Sequence, residues 1–204
     1  MTTTLRRTTT TALTAAAILA ATFMATARPA AQPVAVKETT FMVERALQRL
    51  PYYGVFDFLA FGVDRGVVTL QGYAFQGSLK ADATRAVKRV SGVDEVTNTI
   101  ELLPASQNDD RIRWATFYKI YTDDFLSRYA SGGAMGVRHD LRTSSRFPGM
   151  QPFGTYPIHI IVQNGRTTLL GVVDNKSDKT VAGLRAREVN GVFGVENELV
   201  VSRE

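Results

Sequence analysis

No cysteine occurs among the 204 residues, which excludes a disulfide framework, a thiolate metal site, a cysteine nucleophile and lipidation through a cysteine behind a leader. Histidine is almost as scarce, with only His139 and His159. A closed zinc site takes three or four ligands at tight spacing, so these two imidazoles would need distant carboxylates as partners. Asp123 and Asp124, neighbours on a helix, point roughly 100° apart and do not chelate one ion together. Gly132-Gly133-Ala134-Met135-Gly136 is glycine-rich but lacks the Lys-Ser/Thr of a phosphate loop. The expectation is therefore no metal, no cofactor and no catalytic residue. His139-Asp140 reads as a solvated loop pair, since adjacent residues seldom face one another as a dyad, and His159, between Ile158 and Ile160, reads as the outward position of a strand.

Long apolar runs are missing too. The longest, from Ala12 to Ala25, follows Arg6 and Arg7 and falls short of the roughly 20 residues that span a bilayer. It reads as a cleavable export signal, with Ala25-Thr26-Ala27 supplying the small residues of a cleavage site and Pro29 stopping the helix. The arginine pair hints at twin-arginine export as an alternative to the general route, though threonines stand where that signal has apolar residues. Cleavage after Ala27 would remove two arginines and no acid, leaving 22 basic against 19 acidic side chains over 177 residues (24 minus 2, 204 minus 27). An exported, mildly basic chain points away from nucleic acid and towards anionic lipid headgroups or an acidic partner. The expected mature protein is periplasmic and without a transmembrane segment, with 28–40 a flexible N-terminus.

What the sequence does contain is a repeat. Shifted by 99 positions, residues 66–102 align with 165–201 without a gap, and 12 of the 37 positions are identical, three of them glycines. The period is too long for a solenoid and fits a duplicated small domain. Around Asp64-Arg65-Gly66 and Asn164-Gly165, apolar alternation predicts two hairpins. Gly72 and Gly171 share the parity of Leu70 and Leu169, so they are expected to face the core where a helix comes close to the sheet. Leu79, Ala83, Ala86, Val87 and Val90, and in the second copy Ala182, Ala186 and Val189, recur at helical spacing. Gly92 and Gly191, each followed by valine, are read as the glycines that end those helices. Val96, Ile100 and Leu102, like Val195, Leu199 and Val201, then alternate as one closing strand. Asn98 and Asn197 share that inward parity, and a buried amide must be hydrogen bonded. They are expected to tie a neighbouring loop's backbone to the last strand.

A further helix precedes each hairpin, over 41–50 and 112–129. The fold class is thus α+β, two modules of helix, strand, strand, helix, strand, with helices on a three-stranded sheet: 41–103 and 111–204, joined by a linker at 104–110. Modules this small are marginal alone, so the two should pack on each other.

The paired pattern G-x-x-T-L-x-G, a helix, then V-x-G-V-x-x-V-x-N, resembles the BON domain, a module found in tandem in exported bacterial osmotic-stress and envelope proteins. The resemblance implies a non-catalytic periplasmic protein that associates with phospholipid, with the second module's first helix as the membrane-contacting element. The chain departs from the pattern at 130–156: aligning Leu50 with Tyr129 gives a shift of 79 before the gap, against 99 after it, so about 20 residues are inserted there.

Recognition should then reside where the copies differ. Trp114, Phe117, Tyr118, Tyr121, Phe125 and Tyr129 fall in a helical stripe about 120° wide, flanked by Arg111, Arg113, Lys119 and Arg128. The insertion adds Arg138, Arg142, Arg146, Phe147, Phe153 and Tyr156. Aromatic rings among cations are what an interfacial helix presents to anionic lipid. By alignment with Met42, Ala46 and Leu50, the positions Tyr121, Phe125 and Tyr129 are expected in the core, which leaves Trp114, Phe117 and Tyr118 with the arginines as the contact surface. Two functions fit: binding of a phospholipid surface, or docking of an envelope protein through the insertion without lipid. An enzyme built on the His139 loop is a third.

Overall fold

Each half of the fold starts from a hairpin whose two turn residues both lie in the left-handed region, Arg65 (φ 47°) with Gly66 (φ 82°) and Asn164 (φ 53°) with Gly165 (φ 73°). Turns of this hand match the twist of paired strands, and glycine adopts them without a side-chain clash. The computed structural model describes residues 33–130, 151–153 and 156–202. The first module runs α1 (Pro33–Gln48), β1 (Phe58–Asp64), β2 (Val67–Ala74), α2 (Gly77–Lys88), β3 (Glu95–Asn98) and β4 (Glu101–Leu102). The second runs α3 (Gln107–Tyr121), a 3₁₀ turn (Ser127–Tyr129), β5 (Gln151–Phe153), β6 (Ile158–Gln163), β7 (Arg166–Val173), α4 (Lys176–Arg187), β8 (Gly194–Asn197) and β9 (Val200–Val201).

In both halves the hairpin is antiparallel and the helix behind it returns the chain parallel to the hairpin's second strand. The closing strand is broken in two. β3 and β4 both pair with β2, and β8 and β9 both pair with β7. The break shifts the alternation, so Ile100 and Leu103 are buried while Leu102 faces solvent. At the break, Asn98 Nδ2 donates to the Lys80 carbonyl of α2 (2.9 Å) and to Thr84 Oγ1 (2.6 Å), and its Oδ1 accepts from Ile100 N–H (3.0 Å). Asn197 donates to Lys179 O (2.6 Å) and accepts from Leu199 N–H (3.4 Å). The amide thus ties the strand to the helix above it, not to a loop.

Gly72 and Gly171 have a different reason from helix packing. Both sit at positive φ (125° and 123°), and a Cβ on either would collide with a backbone carbonyl of the neighbouring strand, that of Phe58 or Pro157. It is the adjoining strand that approaches. Gly92 and Gly191 do not end the helices either: α2 stops at Lys88 and α4 at Arg187, and each glycine takes the third place of a turn closed by Val93 N–H to Val90 O or Val192 N–H to Val189 O (3.2 Å each).

The first module's core gathers Val43, Leu47, Leu59, Phe61, Leu70, Leu79, Ala83, Val87 and Ile100. The second gathers Ile112, Ile120, Ile158, Ile160, Val162, Leu169, Ala182, Ala186 and Leu199, and takes in Val55 and Phe56 from the chain ahead of β1. Between the two sheets lies a third cluster, Phe58, Ala60, Tyr73, Leu103, Ile161 and Leu170, so β1 and β6 are buried on both faces.

Three helix expectations change. α1 begins at Pro33, within the stretch expected to be flexible, because proline suits a first helical turn. It buries Val43 and Leu47, while Met42 is exposed. α3 begins at Gln107, inside the expected linker, with Ser106 Oγ accepting from Asp109 N–H as its cap (3.2 Å). The buried stripes Thr39, Val43, Leu47 and Ile112, Thr116, Ile120 correspond at a shift of 73 (116 minus 43), not 79. The second copy therefore carries about 26 extra residues ahead of its hairpin (99 minus 73). Part of that extra length, β5, adds itself to the first module's sheet, pairing antiparallel with β1 through Leu59 and Phe153.

Candidate functional site

α3 is fixed at both ends, which decides the faces it shows. Asp109 in its first turn is buried and accepts the N–H groups of Asn164 (2.9 Å) and Gly165 (2.8 Å) at the hairpin turn. Near its C-terminus Tyr121 is buried and donates its hydroxyl to Ile158 O; burial pushes that phenol far above its ordinary pKa. Held so, the helix turns Ile112, Thr116 and Ile120 inward and leaves Trp114 (53 % exposed) and Tyr118 (59 % exposed) outward. The Trp114 ring stands edge-on to Phe56 (5.0 Å) and Phe117 (5.8 Å), and Phe117, partly buried, leans on Tyr121 (4.9 Å). This supported ridge is the candidate site. Beside it a shallow groove of about 590 Å³ runs between α3 and the end of α4, lined by Arg111, Ala115, Tyr118, Lys119, Glu188 and Asn190 among others.

Several expected contact residues lie elsewhere. Arg113 is wholly buried: Nη2 donates to Val162 O on the open edge of β6 (2.7 Å), Nη1 reaches Asp110, and the guanidinium stacks over Phe75 (4.9 Å). It closes a sheet edge and is not available to a ligand. Phe125, expected in the core, is 65 % exposed because α3 ends at Tyr121. Asp123 accepts the N–H groups of Phe125 and Leu126 there, and Leu126 takes the buried place. Tyr129 is buried, its hydroxyl donating to Asp178 (2.6 Å) and accepting from Asp174 N–H (2.8 Å). Burial, then Asp178, push its pKa up to about 12.

Beside the ridge Lys119 and Arg128 pair with carboxylates, while Arg111 is exposed and meets neutral acceptors. Lys119 bonds Glu188 (3.2 Å), Arg111 bonds Asn108 (2.9 Å) and the Asn190 carbonyl (3.4 Å), and Arg128 pairs with Asp178. The Lys119 hydrogen bond is the main cause that lowers the Glu188 carboxyl below its usual range. Arg138, Arg142, Arg146, Phe147 and His139 lie outside the described residues, and Phe153 stands in β5.

His159 does not face outward. It is buried against Tyr53 (5.7 Å), Phe58 (5.5 Å) and Tyr156 (6.5 Å), with Nδ1 unpartnered. Burial lowers its pKa to about 4, although backbone groups of Asp57, Gly54 and Tyr156 act the other way. A neutral imidazole walled by rings is packing material between the modules. Among the described residues no group of three His, Asp or Glu could hold a metal, and no helix is long and apolar enough to cross a membrane.

Two modules of strand, strand, helix and broken strand, each preceded by a helix, have a recognised counterpart. The BON domain family matches residues 61–104 and 143–203, and the chain belongs to that family. No curated protein matches it. Among solved structures it is similar to CdsD, a structural protein of the type III secretion system of Chlamydia trachomatis, at 15 % identity over 82 % of this chain and 93 % of that one, with a TM-score of 0.26. A second structure, the C-terminal domain of CdsD from the same organism, gives 14 % identity over 79 % and 96 %, also at 0.26.

Proposed function

We propose that this is a non-catalytic, exported protein of the bacterial periplasm that settles on the phospholipid surface through the outer face of α3 and supports the envelope under stress. The observation that carries the reading is the half-exposed Trp114 beside exposed Tyr118, both on a rigid helix and backed by Phe56 and Phe117. Tryptophan and tyrosine have an apolar body and a polar edge, and they concentrate where hydrocarbon meets headgroups.

The protein's only tryptophan is on that face, so it reports contact directly. On mixing with phosphatidylglycerol vesicles, Trp114 emission should shift to the blue and lose its quenching by iodide, and Trp114→Ala should pellet less with the vesicles. Wild-type protein that stays in the supernatant at low salt would end the membrane reading.

One observation favours a second reading. With Arg113 buried and Lys119 and Arg128 paired to carboxylates, the ridge is aromatic with a charge-balanced rim, which is the make-up of a protein interface. Docking of an envelope protein on the same ridge would leave vesicle binding nil and make a Trp114→Ala variant lose that partner.

A further inference from the structure

The two copies end alike and are dressed differently. At the hairpin end of the first module, Asp64, Arg65, Asp94 and Glu95 cluster around Gly66, and the Asp94 carboxylate lies over that glycine. The places 99 residues on hold Gln163, Asn164, Phe193 and Gly194. One backbone bond is kept: Asp94 N–H donates to Gly66 O and Phe193 N–H to Gly165 O, each at 2.8 Å. The Phe193 ring rests over Gly165, with its edge 2.6 Å from where a Cβ would stand, and it remains 78 % exposed. The module next door forms the same turn with a carboxylate there, so the fold does not call for the ring. Two cations frame it. Arg166, exposed, extends beside Gly194, and Arg111 of α3, also exposed, reaches Asn190 O beside Gly191.

We infer that this loop tip is a second lipid contact, in which Phe193 enters the interfacial layer while Arg111 and Arg166 meet headgroup phosphates. The inference rests on the membrane reading of α3 and extends it to a site that the ridge does not include. Arg111 connects the two, for it stands one turn before Trp114 on the helix and borders the loop. A lone ring on a turn offers far too little area for a stable protein interface, which needs roughly 800 Å² per partner. In a bilayer surface, by contrast, one inserted ring and two nearby cations each add affinity without a shaped counterpart.

The test places the first module's residue in the second. Phe193→Asp should fold with unchanged Trp114 emission and bind vesicles of equal parts phosphatidylglycerol and phosphatidylcholine roughly tenfold more weakly, as losing one partly buried aromatic ring implies. In a Trp114→Phe/Phe193→Trp double variant, the relocated indole should be quenched by brominated lipid in the same vesicles. Wild-type affinity in Phe193→Asp, with no quenching at the tip and with Trp114→Ala still impaired, would remove the tip and leave the α3 reading standing. If wild-type protein ignores the vesicles altogether, both fall. Crosslinks to an envelope protein that vanish in Phe193→Asp, without any vesicle binding, would assign the ring to a protein and overturn the proposal.

Discussion

At the first buried position of α2 the first module places Leu79, and 99 residues later, at the same point of α4, the second places Asp178. One is a plain core residue against Val43 and Ala83; the other is a buried carboxylate held by Tyr129 and Arg128. The same contrast recurs along the two halves. Gly66 lies beneath a carboxylate and Gly165 beneath a phenyl ring, and the second hairpin turn is clasped by a helix acid, Asp109. Duplication kept the backbone rules and let the polar fastenings diverge. What is shared should therefore behave alike under mutation, and what is not should separate the modules.

The largest effect should come from what they share. Gly72→Ala and Gly171→Ala each force a side chain into positive φ and into a neighbouring carbonyl, for about 4 kcal/mol or more apiece. Denaturant melts should show comparable losses for the two. A mild effect at either one would mean that the strand pair yields there and that the modules are not built alike.

Next is Asp178→Leu, which gives the second module the first one's residue. It strips Tyr129 of its acceptor and leaves Arg128, itself partly exposed, without its closest partner. The loss should be about 2–3 kcal/mol, below the value for a fully buried pair because water reaches the guanidinium. The reciprocal Leu79→Asp should be worse, since it puts a charge into the apolar cluster of Val43, Leu47, Ala83 and Val87. Equal losses would break the comparison.

The hairpins, the period-2 alternation and the duplicated glycines were legible because each depends on neighbours in the chain. Two of the misreadings come from contact with distant parts. His159 alternates correctly on β6, yet its outward face is covered by Tyr53 and Phe58 of the other module. Arg113 lies within an aromatic helix and looked like a surface cation, but the bare edge of β6 draws it in. Phe193 gave no periodic signal; only alignment with Asp94 would have marked it. Two local signals were available: Ser106-x-x-Asp109 is a helix start, and Pro33 suits a first turn.

His159 makes the junction between modules measurable. Its folded pKa, lowered to about 4, lies below the ordinary value of 6.5, so the unfolded chain holds more protons between those values and stability falls as pH falls through them. The stabilisation lost is at most about 3 kcal/mol. Asp57, raised chiefly by burial, works in the opposite sense just above its ordinary carboxyl value. His159→Phe should flatten the pH dependence of the melt between pH 6.5 and 4; an unchanged profile would show that the imidazole is not what senses the acid.

The smallest difference is the most specific. Asn98 and Asn197 hold the same strand break, but the first has Thr84 as an extra partner where the second has Gly183, whose absent side chain leaves room for the Asn197 amide 2.7 Å from the Cβ position. Removing Asn98 also orphans the Ile100 N–H, bonded at 3.0 Å, whereas the Leu199 bond is already long at 3.4 Å. Asn98→Ala should therefore cost about 2 kcal/mol and Asn197→Ala about 1. Thr84→Gly, which makes the first module match the second, should lower the Asn98→Ala cost towards that of Asn197→Ala in a double-mutant cycle. Costs that stay apart in the Thr84→Gly background would place the difference in the strand break itself, and not in the helix that the amide grips.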